Sequence, residues 1–160
     1  MSPFDLTGRV ASLHLHPAKG GNDMLPVEEL VLEEGKGIVG NGRYYNRQTH
    51  GQPSKRQVSL IEREQLAEHA NTLGIDRIAP GQARSNIETE GIDLVRFVGK
   101  RLQIGEARIY VTVARDPCSK MDLICEGLRK LMDNSKQGVL AQVVKSGRVK
   151  PGDSISLCPD

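Results

Sequence analysis

The sequence of 160 residues contains no tryptophan, and its aromatic residues make up only 3% of the chain. Aliphatic side chains must therefore build most of the hydrophobic core, and an apolar content of 38% at this length suits one globular domain. Cysteine is also scarce: three residues, an odd number without the spacing of a disulfide framework. This predicts a reduced, cytoplasmic protein.

Two further absences argue against classes of partner. No apolar run approaches the roughly 18 residues of a transmembrane helix, and no basic segment followed by an apolar one marks a secretory signal. The net charge is only +2, so we expect neither a nucleic-acid-binding nor a membrane-binding surface. Residues 1–7 are expected to be a flexible tail, and residues 8–157 a single domain.

Short segments rich in β-branched residues, separated by glycine and proline turns, dominate the rest of the chain. Helical spacing is convincing only in residues 62–73 and in the segment after Cys118. In the first helix, Leu66, Ala67, Ala70 and Leu73 are expected to face inward, with Gly74 ending it. The pattern predicts a mainly β protein, a barrel with a few short helices packed on the outside.

The first strand is predicted from alternation between Val10 and His16, which places His14 and His16 on the same face. Two histidines could belong to a metal site, but no third ligand lies nearby in the sequence. An ordinary polar strand face explains the pattern equally well.

The β-branched run of Ile109, Val111 and Val113 predicts a later strand that stops at Asp116-Pro117. A helical pattern that includes Met121, Leu128 and Met132 follows at once. Two helix starts are open. If Asp116 is the N-cap, Cys118 lies in the first turn; if Ser119 is the cap, Cys118 precedes the helix.

With either start, the sulfur of Cys118 lies near unpaired backbone N–H groups, and Arg115 and Lys120 are close in sequence. Positive potential lowers the pKa of a thiol and favours the thiolate, which is the nucleophile and the metal ligand. A small buried residue after a turn is the alternative interpretation.

Other polar residues suggest anion binding. Arg84 and Asn86 are two apart, so in a strand they would share a face and suit a phosphate or heterocycle, or simply solvent. Lys19 stands beside two glycines in a predicted loop. The glycine-dense residues 33–43 have neither P-loop nor Rossmann spacing, and the polar residues 44–55 are a candidate flap.

Six segments, in this order, resemble the MOSC domain, named for the C-terminal domain of molybdenum cofactor sulfurases. They are His16-Pro-Ala-Lys19, Gly37-Ile-Val-Gly-Asn-Gly-Arg43, Arg56-Gln-Val-Ser-Leu60, Arg84-Ser-Asn-Ile87, Arg115-Asp-Pro-Cys118 and Gly147-Arg-Val-Lys-Pro-Gly-Asp153. The resemblance covers about residues 8–157. It implies a β-barrel that binds a molybdopterin-type cofactor, with Cys118 either as the molybdenum ligand or as the carrier of a persulfide.

The resemblance also implies which side chains hold the pterin and its phosphate. They are Lys19, Arg43, Arg84 and Asn86, while Arg115 and Lys120 could support the thiolate or the anion. The chain departs from the family where many members have Gly-Asp and it has Gly40-Asn41.

Two functions follow from the resemblance. One is a molybdenum-dependent reductase of N-oxygenated compounds, which would need a redox partner protein. The other is a non-catalytic carrier of sulfur or cofactor, with a cysteine desulfurase as partner. A barrel whose surface binds another protein is a third interpretation. The extra N-terminal domain of the reductases and the pyridoxal phosphate domain of the sulfurases are not seen, and no residues support binding of pyridoxal phosphate.

Overall fold

A computed structural model describes residues 7–19, 23–133 and 135–159. The strands are β1 (Thr7–Leu15), β2 (Leu25–Val27), β3 (Leu30–Glu33), β4 (Gly37–Ile38), β5 (Gln48–Thr49), β6 (Gln52–Pro53), β7 (Val58–Glu62), β8 (Ile87–Glu90), β9 (Arg101–Ile104), β10 (Ala107–Ala114), β11 (Val139–Lys145), β12 (Gly147–Val149) and β13 (Ser154–Leu157). The helices are α1 (Arg63–Leu73), α2 (Lys120–Ile124) and α3 (Leu128–Met132), with 3-10 turns at Gly42–Tyr44 and Leu94–Phe97. Apart from Thr7, the predicted tail lies outside the described residues.

Within the described residues, seven strands close into a barrel in the order β13-β9-β10-β11-β7-β8-β1, and β1 pairs with β13 to complete the ring. Neighbouring strands are antiparallel except β7 and β8, which are parallel and joined through α1. A parallel pair needs a crossover connection, which is why the longest helix falls between these strands. The prediction of a mainly β barrel with short helices is confirmed.

Aliphatic side chains fill the barrel, as the scarcity of aromatic residues predicts. In β10, for example, Ile109 and Val111 are fully buried. A second apolar cluster lies under the helices and includes Leu66, Met121 and Leu128. None of the helices in the described residues has the length and apolar character needed to span a lipid bilayer.

The strict alternation predicted for the first strand is wrong. Val10 pairs with Thr89 but Ser12 pairs with Glu88, so Ala11 is an extra residue that forms a β-bulge against β8. The bulge shifts the pleat by one residue. As a result Val10 and Leu13 both face the core.

The long helix predicted after Cys118 is divided into α2 and α3. Gly127, at the start of α3, has a φ of 92°. The Asp122 carboxylate accepts the backbone N–H groups of Gly127 and Arg129 at 3.2 and 3.1 Å, and so caps α3. The apolar spacing was compatible with one helix, but the left-handed glycine and this cap separate it into two.

The helix α1 begins one residue later than predicted and ends at Gly74, whose φ of 70° is the left-handed C-cap expected of glycine. Leu66 and Ala70 are buried as predicted. Ala67 is exposed instead, and His69 takes the inward position, where its Nε2 lies 3.0 Å from the carbonyl oxygen of Lys136.

Candidate functional site

Cys118 lies four residues beyond the end of β10, and its side chain is exposed. Of the two possible helix starts, the structure has the one at Ser119, without a side-chain cap hydrogen bond. Cys118 therefore precedes the helix, and its carbonyl oxygen accepts the N–H of Met121 at 3.0 Å. Because α2 has only five residues, positive potential at the sulfur must come mainly from neighbouring cations.

Arg115, three residues before Cys118, is one such cation, and it is 6% exposed. Its Nη1 donates to the carbonyl oxygen of Arg84 at 3.1 Å and to Oγ of Ser85 at 3.2 Å. Burial, followed by the charge of Arg56, lowers the pKa of Arg115 to about 10, and the opposing influence comes first from Cys118. The Cys118 sulfur is thus close enough to a buried guanidinium for their charges to interact.

Tyr44 and His16 form the wall of a crevice on the same side of the barrel. The two rings pack with centroids 4.5 Å apart, and both side chains are buried. Arg43 donates from Nη2 to the Tyr44 hydroxyl at 3.0 Å. The guanidinium carbons of Arg43, Arg56 and Arg47 lie 5.1, 5.0 and 6.0 Å from the centre of the Tyr44 ring.

The electrostatics of this crevice are strongly positive. The pKa of His16 falls to about 3; burial is the main cause, and four arginine charges add to it, those of Arg84, Arg115, Arg56 and Arg43. His16 is therefore neutral. Within the described ranges, Arg43, Arg56 and Arg115 form no ion pair with a carboxylate. Such a concentration of positive charge favours an anionic ligand.

The Tyr44 phenol responds to the same field. Burial raises its pKa, but the hydrogen bond from Arg43 and the charges of Arg56 and Arg43 outweigh burial, so the pKa lies below its usual value. The crevice is narrow, and its walls come from four parts of the chain. Its lining residues are His16, Pro17, Arg43, Tyr44, Arg84 and Lys120.

The predicted site residues are thus partly brought together. Arg43, Arg84 and Lys120 line one crevice, and Arg115 lies beneath it, bonded to the backbone of Arg84. Lys19 is exposed in the loop after β1, two residues beyond Pro17, and does not line the crevice.

Asn86 and Arg84 do not share a strand face, because Arg84 has a φ of 65° and β8 begins only at Ile87. The buried Asn86 amide instead ties the site together. Its Oδ1 accepts the N–H and hydroxyl of Ser59, and its Nδ2 donates to the carbonyl oxygen of His14 at 3.1 Å.

The same amide also donates to Oδ1 of Asn41 at 2.9 Å, and this oxygen accepts the backbone N–H of His16. Position 41 therefore needs an acceptor, which the aspartate found in many family members would also supply. This explains how the departure at Gly40-Asn41 is accommodated.

The two remaining cysteines and His14 do not line the crevice. Cys125 is half-buried and Cys158 is buried. His14 uses its Nδ1 in a 3.0 Å hydrogen bond with the carbonyl oxygen of Ser85. The described residues contain no group of three histidine, cysteine, aspartate or glutamate side chains that could hold a metal ion by themselves.

Sequence reasoning did not assign Tyr44, Arg56 or the ring of His16 to the site. Arg56 does open one of the segments that carry the family resemblance, and Tyr44 follows Arg43 directly. These two positions could have indicated that Arg56 and Tyr44 belong to the site, but nothing in the sequence shows that residues 16, 44 and 56 meet.

Comparisons with known proteins agree with this architecture. The solved structure of the YUAD protein from Bacillus subtilis superimposes with a TM-score of 0.78 at 19% identity, over 95% of this chain and 96% of that chain. The solved structure of YiiM from Escherichia coli superimposes with a TM-score of 0.67 at 24% identity, over 95% of this chain and 70% of that chain. The solved structure of YiiM from Geobacillus stearothermophilus has a TM-score of 0.73 at 19% identity, over 95% of this chain and 75% of that chain. At these identities the likeness shows the fold.

No curated protein is similar enough in sequence to count as a match. The family model described as the MOSC domain, however, matches residues 46–156, which is more than half of the chain. The matched residues include Arg84 and Lys120 of the crevice, and Cys118. The chain belongs to the MOSC domain family.

Proposed function

We propose that this protein binds a molybdenum cofactor of the molybdopterin type, with Cys118 as the metal ligand, and reduces N-oxygenated compounds. One observation carries the proposal: four arginines surround a crevice near an exposed cysteine, and no carboxylate is ion-paired to Arg43, Arg56 or Arg115 among the described residues.

The donor set fits such a group. Guanidiniums bind phosphate through paired, charge-assisted hydrogen bonds, and Arg43 and Arg84 line the crevice. A thiolate is a suitable ligand for a soft metal, and Cys118 is exposed two residues before Lys120, which lines the crevice. With no cluster of three metal-ligating side chains among the described residues, the metal would arrive with the cofactor.

Each residue then has a separate task. Arg43, Arg84 and Lys120 would hold the phosphate, with Lys19 approaching from its loop. Arg115 would place a positive charge near the Cys118 sulfur, and Asn86 would hold the segment that carries Arg84. When bound, the cofactor would supply two-electron oxygen-atom transfer, and a redox partner protein would supply the electrons.

The exposure of Cys118 also favours a second function, a sulfur carrier. A cysteine desulfurase must reach the acceptor thiol directly, and the thiolate is the form of a cysteine that takes up sulfur. Both functions require a free thiol, so the proposal includes a location in the reducing cytoplasm.

Metal analysis of protein produced in a molybdenum-replete host tests the first function. We expect near-stoichiometric molybdenum, and Cys118→Ser should lose both the metal and the reduction of hydroxylamine-type substrates. Cys125→Ser is the matched control and should retain both. If Cys118→Ser keeps its metal and its activity, Cys118 is not the ligand.

Mass spectrometry after incubation with a cysteine desulfurase and cysteine tests the second function. A sulfur carrier should gain 32 Da, which is roughly the mass of one sulfur atom, on Cys118 and on no other cysteine. Metal-free protein that gains sulfur in this way would support carriage over catalysis. Metal-loaded protein that gains none would exclude it.

A further inference from the structure

The outer face of the barrel around Tyr110 carries cations on three neighbouring strands. In the register of the sheet, Tyr110 lies opposite Arg101 of β9, and Arg108 lies opposite Lys145 of β11. The three cations are exposed, and Tyr110 is half-buried beside them. Because neighbouring strands are about 4.8 Å apart, the backbone positions of these cations span only about 10 Å across the sheet.

Two more cations extend this surface to the base of the β5–β6 hairpin. Thr112, two residues after Tyr110, donates from its Oγ1 to the carbonyl oxygen of Lys55 at 3.2 Å. The N–H of Ser54 donates to the carbonyl oxygen of Arg47 at 2.9 Å, so Arg47 and Lys55 flank the hairpin, and both are exposed. We define the basic face as Arg47, Lys55, Arg101, Arg108 and Lys145.

The charge of the basic face is not neutralised within the molecule. None of its five cations forms an ion pair with a carboxylate of the described residues. Glu106 is exposed at its edge, but its carboxylate accepts the backbone N–H of Arg148 at 3.2 Å. Like charges directly opposite each other on neighbouring strands are destabilising. Arg108 and Lys145 therefore repel each other in the free protein, and an anionic partner would relieve this repulsion.

The basic face adjoins the crevice. The guanidinium carbon of Arg47 lies 6.0 Å from the centre of the Tyr44 ring, and that of Arg56, the residue after Lys55, lies 5.0 Å from it. A protein that covers the basic face would therefore contact the chain beside the crevice wall. Arginine and tyrosine are also the residue types that contribute most to binding at protein interfaces, and Tyr110 lies among these cations.

We propose that the basic face is the docking surface for an acidic redox protein, the partner that supplies electrons. This inference rests on the proposed reductase function. Opposite charges would steer and orient the partner in a small, transient, salt-sensitive interface. Each turnover would break the N–O bond of an N-hydroxylated substrate and form an N–H bond and water. This step takes up two electrons and two protons, so two molecules of a reduced one-electron carrier would be oxidised.

Binding can be measured without turnover, by titration calorimetry with a plant-type ferredoxin, a small and strongly acidic one-electron carrier. The test variant combines Lys55→Gln, Arg101→Gln and Lys145→Gln, because these side chains form no hydrogen bond or ion pair within the described residues. At low salt it should bind ferredoxin at least about tenfold more weakly than the wild type, since each exposed charge pair contributes up to about fivefold.

The matched control combines Arg77→Gln, Arg129→Gln and Lys130→Gln, which removes the same charge from exposed positions in other segments. It should bind ferredoxin within about twofold of the wild type, because these cations lie outside the docking surface. Raising the salt from about 30 mM to about 300 mM should weaken the binding of the wild type and of the control more than that of the test variant.

Electron delivery is tested on cofactor-loaded protein with a hydroxylamine-type substrate. Reduced ferredoxin should drive the reaction about tenfold more slowly in the test variant than in the control. Reduced methyl viologen, a small donor that needs no docking surface, should drive both at the same rate. Absence of ferredoxin binding to the wild type, or equal ferredoxin affinities of the two triple variants, would overturn the inference.

Three further results separate the alternatives. Tighter binding of duplex DNA than of ferredoxin, lost in the test variant, would assign the basic face to nucleic acid and overturn the inference. The same result with phosphatidylserine vesicles would assign it to a membrane. If methyl viologen drives no reduction, the reductase function fails, whereas ferredoxin binding with the expected charge dependence would still support a docking surface for an acidic protein.

Discussion

The imidazole of His16 packs against the phenol ring of Tyr44, with centroids 4.5 Å apart and ring planes inclined by 54°. This contact joins the end of β1 to the 3-10 turn after the glycine-rich loop, and the arginines of the crevice surround it. The arrangement is stable only while the imidazole carries no charge, since protonation would add another cation to a crowded positive site.

His16 should therefore remain neutral until the pH falls to about 3, although an unfolded histidine titrates near 6.5. Between these values the unfolded chain binds a proton that the native protein does not. The stability associated with His16 is complete above pH 6.5 and is lost as the pH falls, with a slope of at most about 1.4 kcal/mol per pH unit.

Urea unfolding between pH 4.5 and 7 measures this slope. The His16 contribution is the difference between the wild type and His16→Gln, because every other titrating group is common to both proteins; this difference should grow as the pH rises from 4.5 to 6.5, whereas His50→Asn, at an exposed turn, should show none. A titration midpoint near 6.5 for His16 in an NMR experiment would contradict the prediction.

Glu62 should have the opposite dependence. Burial and the charge of Asp93 raise the pKa of its carboxyl to about 7, although the N–H of Leu94 partly opposes them. The native state holds this proton more tightly, so the associated stability is present below pH 4.5 and is lost as the pH rises through 7. At pH 8, Glu62→Gln should raise the free energy of unfolding by about 1 kcal/mol, a value reduced for solvent screening.

Denaturation curves at pH 4.5 and pH 8 test this. Glu62→Gln should stabilise only at pH 8, because at pH 4.5 the native carboxyl is already protonated. Glu28→Gln, an exposed glutamate in the loop after β2, is the control and should have no effect at either pH. A gain for Glu62→Gln of the same size at both values would refute the interpretation.

Gly42 holds the turn that carries Arg43 and Tyr44 against the end of β1. Its φ is 52°, and a Cβ there would overlap the carbonyl oxygen of Pro17. Gly42→Ala should cost about 2–4 kcal/mol and displace the crevice wall, because backbone must move.

The matched variant is Gly51→Ala in the β5–β6 hairpin. Gly51 also has a positive φ, 77°, but a Cβ there meets open space among the described residues. It should cost only about 1 kcal/mol, the strain of the left-handed conformation. Thermal unfolding compares the two, and equal losses would show that close approach at Gly42 is unimportant.

The Asn86 amide should be one of the most sensitive polar groups of the fold. Asn86→Ala leaves the buried carbonyl oxygen of His14 and the N–H of Ser59 without this partner. At about 1–3 kcal/mol for each unsatisfied group, we expect a loss of at least 3 kcal/mol by urea unfolding. Asn71→Ala, on the exposed face of α1, should be nearly neutral; a loss below 1 kcal/mol for Asn86→Ala would contradict its structural role.

Asn41 distinguishes an acceptor requirement from an amide requirement. Asn41→Asp keeps an oxygen for the N–H of His16 and for Nδ2 of Asn86, so it should fold and lose no more than about 1 kcal/mol. Asn41→Leu removes the acceptor and should lose at least 2 kcal/mol. Similar losses for both variants would mean that the amide nitrogen is also needed.

Several features of the site were predictable from local sequence. Cys118 follows a strand and a proline, so its place at the strand end is determined by neighbours in the chain, and Arg115 and Lys120 accompany it for the same reason. The β-bulge at Ala11 was not predictable, because it depends on which residue of β8 lies opposite. The separation of α2 from α3 depends on two hydrogen bonds that the Asp122 carboxylate accepts from the backbone N–H groups five and seven residues later.

The sequence by itself determined the barrel, the aliphatic core and the cations beside Cys118, because periodicity and turn chemistry are local properties that survive in a linear pattern. Only the tertiary structure decided that His16, Tyr44 and Arg56 meet in one crevice, and that Asn86 supports the site from below. These contacts join segments that closure of the barrel brings together. Their energies depend on burial and on the distances between charges, and no single segment of the sequence determines either quantity.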